Sequence, residues 1–498
     1  MFAYDDVPYD TEANAETHPS TIATLARLSG LRPAAPRTAR VLEIGCGNGE
    51  NLIAAATYLP RARFVGFDLA ASAIAAGVAA ATASGTSNVE LFAADVSDVR
   101  AAGTKERAPG GFDYVVAHGM YSWVPRDVRA DLLAVMRDAL GPGGVGFVSV
   151  NALPGWELRR ALRELARDAT RDLEDPAARV AEALRIIEEL ARAGEGASGF
   201  RGALAAAARE YVAHVARATP PEAPFARYVF HDLLADVNEP FSVAGLGEDL
   251  ARAGLRIVCE APLFPSRAGA FDGLAADLAR TGAPFLQVLV QRDDGELAAA
   301  PDASAAAELD LWADLTPAPG GGFRTTTGAL VRPVGETGLA RATRHAPGFV
   351  AVRDLADDDD ARRELARQLF AAACEGVLTL VTERPGCATT PRERPCVAAH
   401  VRVRAGAAVE RGAPSGVVTN ALHRSFRVPW SELAVVLAMD GARTVPEIAA
   451  EATRRAAEAP SSLAGPLTGA STRDVQRFVD AVVDRFTRHL FLVEEDAT

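Results

Sequence analysis

Lysine is almost missing from this sequence: Lys105 stands alone, and every other basic residue among the 52 Lys and Arg is an arginine. Acids number 65, giving a formal charge of -13, which excludes a surface built as a whole to track nucleic-acid phosphates. Cysteine is scarce as well. Cys46, Cys259, Cys374, Cys387 and Cys396 form no CxxC pair, and an odd count excludes a complete disulfide framework and fits a reducing compartment. The 8 histidines show no HExxH spacing and join no paired cysteines, so no dedicated metal site is expected. No apolar run nears the roughly 18 residues that a membrane-spanning helix needs. The opening MFAYDDVPYD carries acids where a secretory leader carries Lys or Arg, so the expected location is the cytoplasm, with no membrane insertion.

What is present is ordinary globular material, 49% hydrophobic and 23% charged over 498 residues, enough for about two to four domains. From Arg40 onward short β-branched runs alternate with Ala- and Leu-rich stretches, the pattern of strands joined by helical crossovers in a parallel sheet. Strands are predicted at Arg40–Cys46, Arg63–Leu69, Val89–Val96, Phe112–His118 and Val145–Asn151. After Asn151 the apolar period turns helical through Leu158, Leu162, Leu165, Val180, Leu184, Ile187, Tyr211, Val212 and Val215. LRIVCEA and, beyond a further helix, FLQVLVQ then read as two strands completing the same sheet, the second as its antiparallel edge. Residues 157–238 are thus a helical insertion, or lid, between the two parts of one domain, 1–156 and 239–292. A middle region at 293–394 follows, in which Asp357 to Asp360 read as an acidic helix start and not as a metal cluster. In 395–498, Thr444-Val-Pro-Glu447 is a capping box, and Val475, Phe478, Val479, Val482, Val483 and Phe486 form a helical stripe. With the closing run Leu490–Val493 the order is helix, helix, helix, short strand, which resembles a small winged-helix module. The predicted fold class is α/β: a Rossmann-like seven-stranded domain with a helical insertion, then a C-terminal α+β region ending in that module.

The segment Glu43-Ile-Gly45-Cys46-Gly47-Asn48-Gly49 carries the chemistry. Glycines after a first strand let backbone amides approach a ligand at a helix N-terminus, but such a loop alone does not choose among nucleotides. Its spacing is G-x-G-x-G, not the dinucleotide G-x-G-x-x-G. Glu43, two residues before the first glycine, is an unwelcome neighbour for a pyrophosphate and suits a ligand bearing a sulfonium and an ammonium. Asp68 ends the second strand, where a carboxylate can accept from both ribose hydroxyls, and Asp95 ends the third. The expected cofactor is S-adenosylmethionine. Its candidate contacts are Glu43, Gly45, Cys46, Gly47, Asn48, Gly49, Asn51, Asp68, Leu69, Asp95, Val96 and His118.

The fourth strand runs into His118-Gly-Met-Tyr121-Ser-Trp123-Val-Pro125, a polar and aromatic wall at the edge where open α/β sheets place ligands. This segment, together with Ser149-Val-Asn151-Ala-Leu-Pro154-Gly155-Trp156, Tyr4-Asp-Asp-Val-Pro8-Tyr9, Thr17-His18-Pro19 and Val418-Thr-Asn420-Ala-Leu-His423, resembles the class I methyltransferases that carry a methyltransferase regulatory domain. That family includes rickettsial protein-lysine methyltransferases acting on outer-membrane proteins. The resemblance runs end to end, although 293–396 matches mainly in layout. It implies a methyl-donor site at the glycine loop and acids, with a lysine or similar amine approaching over the aromatic segments. Candidates for orienting or deprotonating that amine are Tyr9, Tyr121 and His118, and candidates for packing around its stem are Trp123 and Trp156. Val150 departs from the family pattern, standing where an aromatic residue is expected before Asn151. There is no N-P-P-aromatic motif after the fourth strand, which disfavours amide-nitrogen chemistry.

For the C-terminal module DNA binding is the less favoured role, because its helix PEIAAEATRRAAEA sets three glutamates beside two arginines. Substrate docking or homodimerisation is expected instead. The expected partner is a protein or peptide substrate. The alternatives are a small molecule or modified peptide as the acceptor, and a non-catalytic protein that binds the donor and regulates others.

Overall fold

The computed structural model describes residues 7, 11–219, 226–261, 274–294, 301–313, 315–325, 329–332 and 337–493. Apolar runs long enough to be covered on both faces form one sheet from β1 (Arg40–Ile44), β2 (Arg63–Asp68), β3 (Val89–Ala93), β4 (Phe112–Ala117), β5 (Leu140–Asn151), β6 (Leu255–Glu260) and β7 (Phe285–Arg292). The order of this seven-stranded sheet is β3-β2-β1-β4-β5-β7-β6. Strand order reverses between β1 and β4, which places the ligand crevice above their carboxyl ends. β7 lies antiparallel to both β5 and β6. FLQVLVQ is therefore antiparallel but is not the edge expected from sequence; β6 is. The reason is burial: Leu286, Val288, Leu289 and Val290 are at most 1% exposed, as a strand with two neighbours and two covered faces must be.

Helices α1 (Pro19–Leu28), α2 (Glu50–Tyr58), α3 (Ala71–Ala83), α4 (Val96–Ala102) and α5 (Arg126–Ala139) accompany the first five strands. The insertion consists of α6 (Glu157–Ala169), α7 (Pro176–Ala193), α8 (Gly199–Ala218) and α9 (Arg227–Leu233). It has its own core, with Leu162, Val180, Ile187, Tyr211, Val229 and Leu233 packed around Val7. Its two stems are stitched together where they leave the sheet: the Phe241 N–H donates to Asn151 O at 2.8 Å and the Leu153 N–H to Phe241 O at 2.9 Å. The chain returns through α10 (Val243–Arg252), and α11 (Leu274–Thr281) lies between β6 and β7.

The middle region contains β8 (Asp310–Ala313), β9 (Leu315–Pro317), β10 (Phe323–Thr325), β11 (Leu330–Val331), α12 (Gly338–Thr343), β12 (Gly348–Ala351), α13 (Asp359–Cys374) and β13 (Thr379–Val381). The acidic run opens α13, with the Asp358 side chain accepting from the Ala361 N–H. In the last region come α14 (Ala399–Glu410), β14 (Ser415–Thr419), β15 (Ser425–Pro429), α15 (Trp430–Ala438), α16 (Val445–Glu458), α17 (Ser461–Ala464) and α18 (Thr472–Arg488). The Thr444–Glu447 capping box is formed, and Val475, Val479, Val482, Val483 and Phe486 are the buried stripe of α18. Leu490–Val493 is not a strand. Leu492 and Val493 make isolated bridges to Val397 and Cys387, and the β structure of this region is the hairpin β14–β15, placed before α15. Its core includes Tyr58 of α2, whose hydroxyl donates to Phe491 O at 3.2 Å. The C-terminal region therefore sits directly on the first crossover helix of the sheet.

Candidate active site

The loop from β1 to α2 is shaped by three glycines in the left-handed region, Gly45, Gly47 and Gly49, with φ of 73°, 55° and 70°. Side chains are also excluded by space. A Cβ would fall 2.6 Å from Met120 Sδ at Gly45, from Thr11 Cγ2 at Gly47 and from Leu91 Cδ1 at Gly49. The Gly45 and Cys46 N–H groups both donate to Phe67 O, which pins the loop to β2. The Cys46 side chain packs towards Gly66, where an added Cβ would lie 2.8 Å from its sulfur, so this cysteine serves packing and offers the crevice its backbone alone. Asn48 is drawn inward by Thr11, whose hydroxyl donates to its Oδ1.

Glu43 is 5% exposed at the end of β1. Its Oε1 accepts from Asn51 Nδ2 at 3.0 Å, while its Oε2 is buried without a partner. Desolvation, opposed by the Asn51 hydrogen bond and reinforced by Asp68, raises the carboxyl pKa to about 8. Asp68 accepts from the Gly47 N–H at 2.8 Å and the Ala70 N–H at 2.9 Å, one on each oxygen, so each oxygen keeps a lone pair for a ligand. Leu69 beside it is 55% exposed. Asp95 caps α4 by accepting from the Ser97 N–H at 2.7 Å, and Val96 behind it is buried.

Among the described residues, Thr11 and Asn14 of the N-terminal segment close one side of the crevice. Asn14 Oδ1 accepts from the Glu16 N–H, so its Nδ2 must be what faces His118 Nε2 at 3.1 Å. The Nε2 of His118 is therefore an acceptor, and its Nδ1 carries the proton towards Ser149 Oγ, 3.2 Å away. Ser149 Oγ also accepts from the Gly119 N–H at 2.7 Å. Burial lowers the His118 pKa to about 4. With both nitrogens committed, His118 ties the N-terminal segment to β5. Tyr121 is likewise committed, 1% exposed with its hydroxyl donating to Asp249 Oδ2 at 2.9 Å. Tyr9 lies outside the described residues.

The rings of Trp123 and Trp156 meet edge to face at 6.1 Å, with Trp156 buried. Trp156 follows a turn so close to the strand β7 connection that a Cβ on Gly155 would lie 2.3 Å from Gly282 O. Arg159 places its guanidinium over the Trp156 ring at 5.3 Å and the Tyr211 ring at 5.9 Å. Asn151 Nδ2 and Trp156 Nε1 are buried without partners around the stems of the insertion. His231, near the insertion's return, bonds through Nε2 to Val7 O at 2.8 Å.

Residues 42–145 match the family model described as a methyltransferase domain. The chain carries a methyltransferase domain. An uncharacterised protein of Rickettsia prowazekii (strain Madrid E) is 37% identical over 163 residues, 33% of this chain and 63% of that protein. A trans-aconitate 2-methyltransferase of Deinococcus radiodurans is 30% identical over 146 residues, 29% of this chain and 50% of that enzyme. The chain thus spans less than two thirds of either sequence relative. The structure of PKMT2 from Rickettsia typhi in complex with AdoHcy matches with a TM-score of 0.82 at 20% identity, covering 98% of this chain and 100% of that one. The fold is shared end to end.

The methyl donor that goes with such a domain is S-adenosylmethionine, and the residues fit it. A buried carboxylate with a bare oxygen calls for a cation, the glycine cradle would be filled by any Cβ, and exposed Leu69 next to Asp68 offers an apolar face to a base. Of the residues expected from sequence, the methyltransferase domain brings together Glu43, Gly45, Gly47, Asn48, Gly49, Asn51, Asp68 and His118. Thr11 and Asn14 were missed, and Thr17 was seen only as part of Thr17-His18-Pro19, without a role in the site. Their polar side chains carry no periodic signal, and only their contacts reveal them.

Among the described residues no helix is long and apolar enough to cross a membrane, and no group of three or more His, Cys, Asp or Glu is placed to hold a metal ion.

Proposed function

We propose that the chain is an S-adenosylmethionine-dependent methyltransferase whose acceptor is an amine, most specifically a protein lysine side chain. The observation that carries the donor half of this reading is the bare Glu43 Oε2, buried above the three-glycine loop beside Asp68. The donor supplies an electrophilic methyl group on a positively charged sulfur, and transfer is an in-line displacement. The chain's own residues therefore act mainly by positioning. Glu43 holds the cationic end of the donor, and Asp68 and Asp95 hold the ribose and base ends. Trp123 and Trp156 pack around an incoming aliphatic amine, which an aromatic face attracts by about 0.5 to 2 kcal/mol while it is still protonated.

A lysine, with a pKa of about 10.4 in water, must reach the methyl group neutral. Since His118 and Tyr121 are engaged in hydrogen bonds, the amine is deprotonated by desolvation beneath the insertion, with its proton lost to water before the lid settles. We further infer a cytoplasmic location and a docking or dimerising role for the C-terminal region. The same reading divides the chain at 156, 238, 292 and 394.

Two observations support a protein acceptor: the end-to-end likeness in fold to the Rickettsia typhi protein named PKMT2, and a lid large enough to have its own core. The identity to trans-aconitate 2-methyltransferase favours a second reading, a small-molecule acceptor at the same donor site. Incubation with radiolabelled S-adenosylmethionine, separately with bacterial lysate proteins and with a small-metabolite pool, decides between them. Label stable on lysine in protein is the expected result, and label confined to small products gives the second reading. Tight donor binding with no transfer in either pool overturns both.

A further inference from the structure

The tip of the β14–β15 hairpin reaches from the C-terminal region into the donor site. It is a locked turn. Asn420 Oδ1 accepts from the Leu422 and Arg424 N–H groups at 3.0 and 2.9 Å, and Asn420 Nδ2 donates to His489 O at 2.8 Å. The turn holds His423 at φ 61°, a left-handed conformation that histidine rarely adopts, with the residue 1% exposed. Its Nε2 lies 2.8 Å from Asn51 Oδ1.

That oxygen also receives the Asn14 N–H at 3.1 Å, and the Thr17 hydroxyl, whose one proton is shared with Asn14 O at 2.8 Å, lies 3.1 Å from it. The Asn14 backbone N–H can only donate, which fixes the carboxamide the right way round, and an oxygen only accepts, so His423 must carry its proton on Nε2. The far side of the same amide donates to Glu43 Oε1. A chain of two hydrogen bonds thus runs from the C-terminal region, through one α2 side chain, to the carboxylate whose other oxygen is bare.

We propose that His423 is a positioning residue of the donor site. It locks the Asn51 amide, which holds Glu43 with Oε2 presented to the donor's ammonium, so that docking of the C-terminal hairpin and donor binding strengthen each other. This rests on the donor reading above. By linkage, whatever the hairpin gains from a bound donor, the donor gains from a docked hairpin. The proposal assigns the C-terminal region a part in the site that the methyltransferase domain match does not cover.

The test uses the full chain and S-adenosylhomocysteine in calorimetry. His423→Asn keeps a residue that tolerates the left-handed turn but is too short to reach Asn51. It is expected to weaken binding about fivefold, as loss of one buried hydrogen bond does, and His423→Gln is expected to restore most of that loss. Asn51→Ala alone and combined with His423→Asn should bind alike, within about twofold, because the histidine acts only through the amide. Independent losses that add in the double variant overturn the proposal.

A second measurement needs no variant: saturating the natural chain should slow amide hydrogen exchange at 420–424 as well as at 45–49. Protection of the glycine loop with unchanged exchange in the hairpin also overturns it. Absence of binding by the natural chain sinks instead the donor reading, so the two failures are distinguishable.

Discussion

Glu43 is expected to govern how donor binding depends on pH. In the free protein its carboxyl is held up to about 8 by desolvation, so at pH 7 it is mostly protonated, and a cation prefers it ionised. Donor binding should therefore release about one proton near pH 7, and affinity should rise as pH climbs towards 8. Calorimetry in buffers of different ionisation enthalpy reads this directly, and Glu43→Gln should abolish both the release and the slope. The sign for stability is opposite to that for binding. A carboxyl whose folded pKa is raised binds protons more tightly when folded, so its contribution declines as pH rises from about 4.5 to about 8. Two further residues test the cradle. Asp68→Ala removes the acceptor of the Gly47 and Ala70 N–H groups, and Gly47→Arg puts a side chain against Thr11 at φ 55°. Each should lower donor affinity by at least about tenfold, the 1.4 kcal/mol that one or two such interactions supply, with circular dichroism unchanged. Wild-type affinity in both would remove the loop from the site.

At the scale of elements, the donor loop is held from below as well as from within. α3 presses Gly77 onto it so closely that a Cβ there would fall 2.1 Å from Asn48 O. Gly77→Ala should cost about 1 to 3 kcal/mol of stability by overpacking and, because the obstacle is loop backbone, should also weaken donor binding. Gly103→Ala is the control: at φ 72° and ψ 173° with nothing within 4 Å, it carries about 1 to 3 kcal/mol of backbone strain in a region that essentially only glycine adopts, far from the loop, and should leave affinity alone. Denaturant melts paired with calorimetry separate the two, and equal affinities at equal stability would show that α3 does not support the loop.

Gly77 also marks the limit of what the sequence declares. Apolar runs and a glycine spacing reveal strands and the loop, because periodicity and left-handed backbone leave a mark in residue type. A glycine inside an Ala-rich helix reveals nothing until its neighbour is seen. The same holds for FLQVLVQ, whose unbroken apolar run states two-sided burial, although its position between β5 and β6 depends on pairing no local pattern encodes. His118 and Tyr121 were visible as polar and aromatic residues at a strand end, but their commitment to Ser149, Asn14 and Asp249 comes from distant elements. Asn51 and His423 meet only because α2 and the β14–β15 hairpin are folded against each other.

For the whole molecule, the contact between the C-terminal region and the methyltransferase domain is lined with buried neutral histidines. His18 and His423 have ring centroids 4.9 Å apart, and His400 meets Tyr58 edge to face at 5.5 Å. Burial lowers His18 and His400 to about 4 and His423 well below its ordinary value. A histidine with a lowered folded pKa takes up its proton mainly when unfolded. Its contribution is therefore complete above about 6.5 and is lost as pH falls towards 4, roughly 3 kcal/mol for each of His18 and His400. Set against the 5 to 15 kcal/mol that a domain commonly has, this predicts acid unfolding that begins in the contact between these regions, between pH 6 and 4. His18 allows the test to be made cleanly. Its Nδ1 caps α1 by accepting from the Ser20 N–H at 3.2 Å, a task asparagine performs well. His18→Asn should keep stability at pH 7.5 within about 1 kcal/mol while making the decline between pH 6.5 and 4 shallower by one proton. Chemical denaturation across that range measures the slope, and an unchanged slope would place the acid sensitivity elsewhere in the chain.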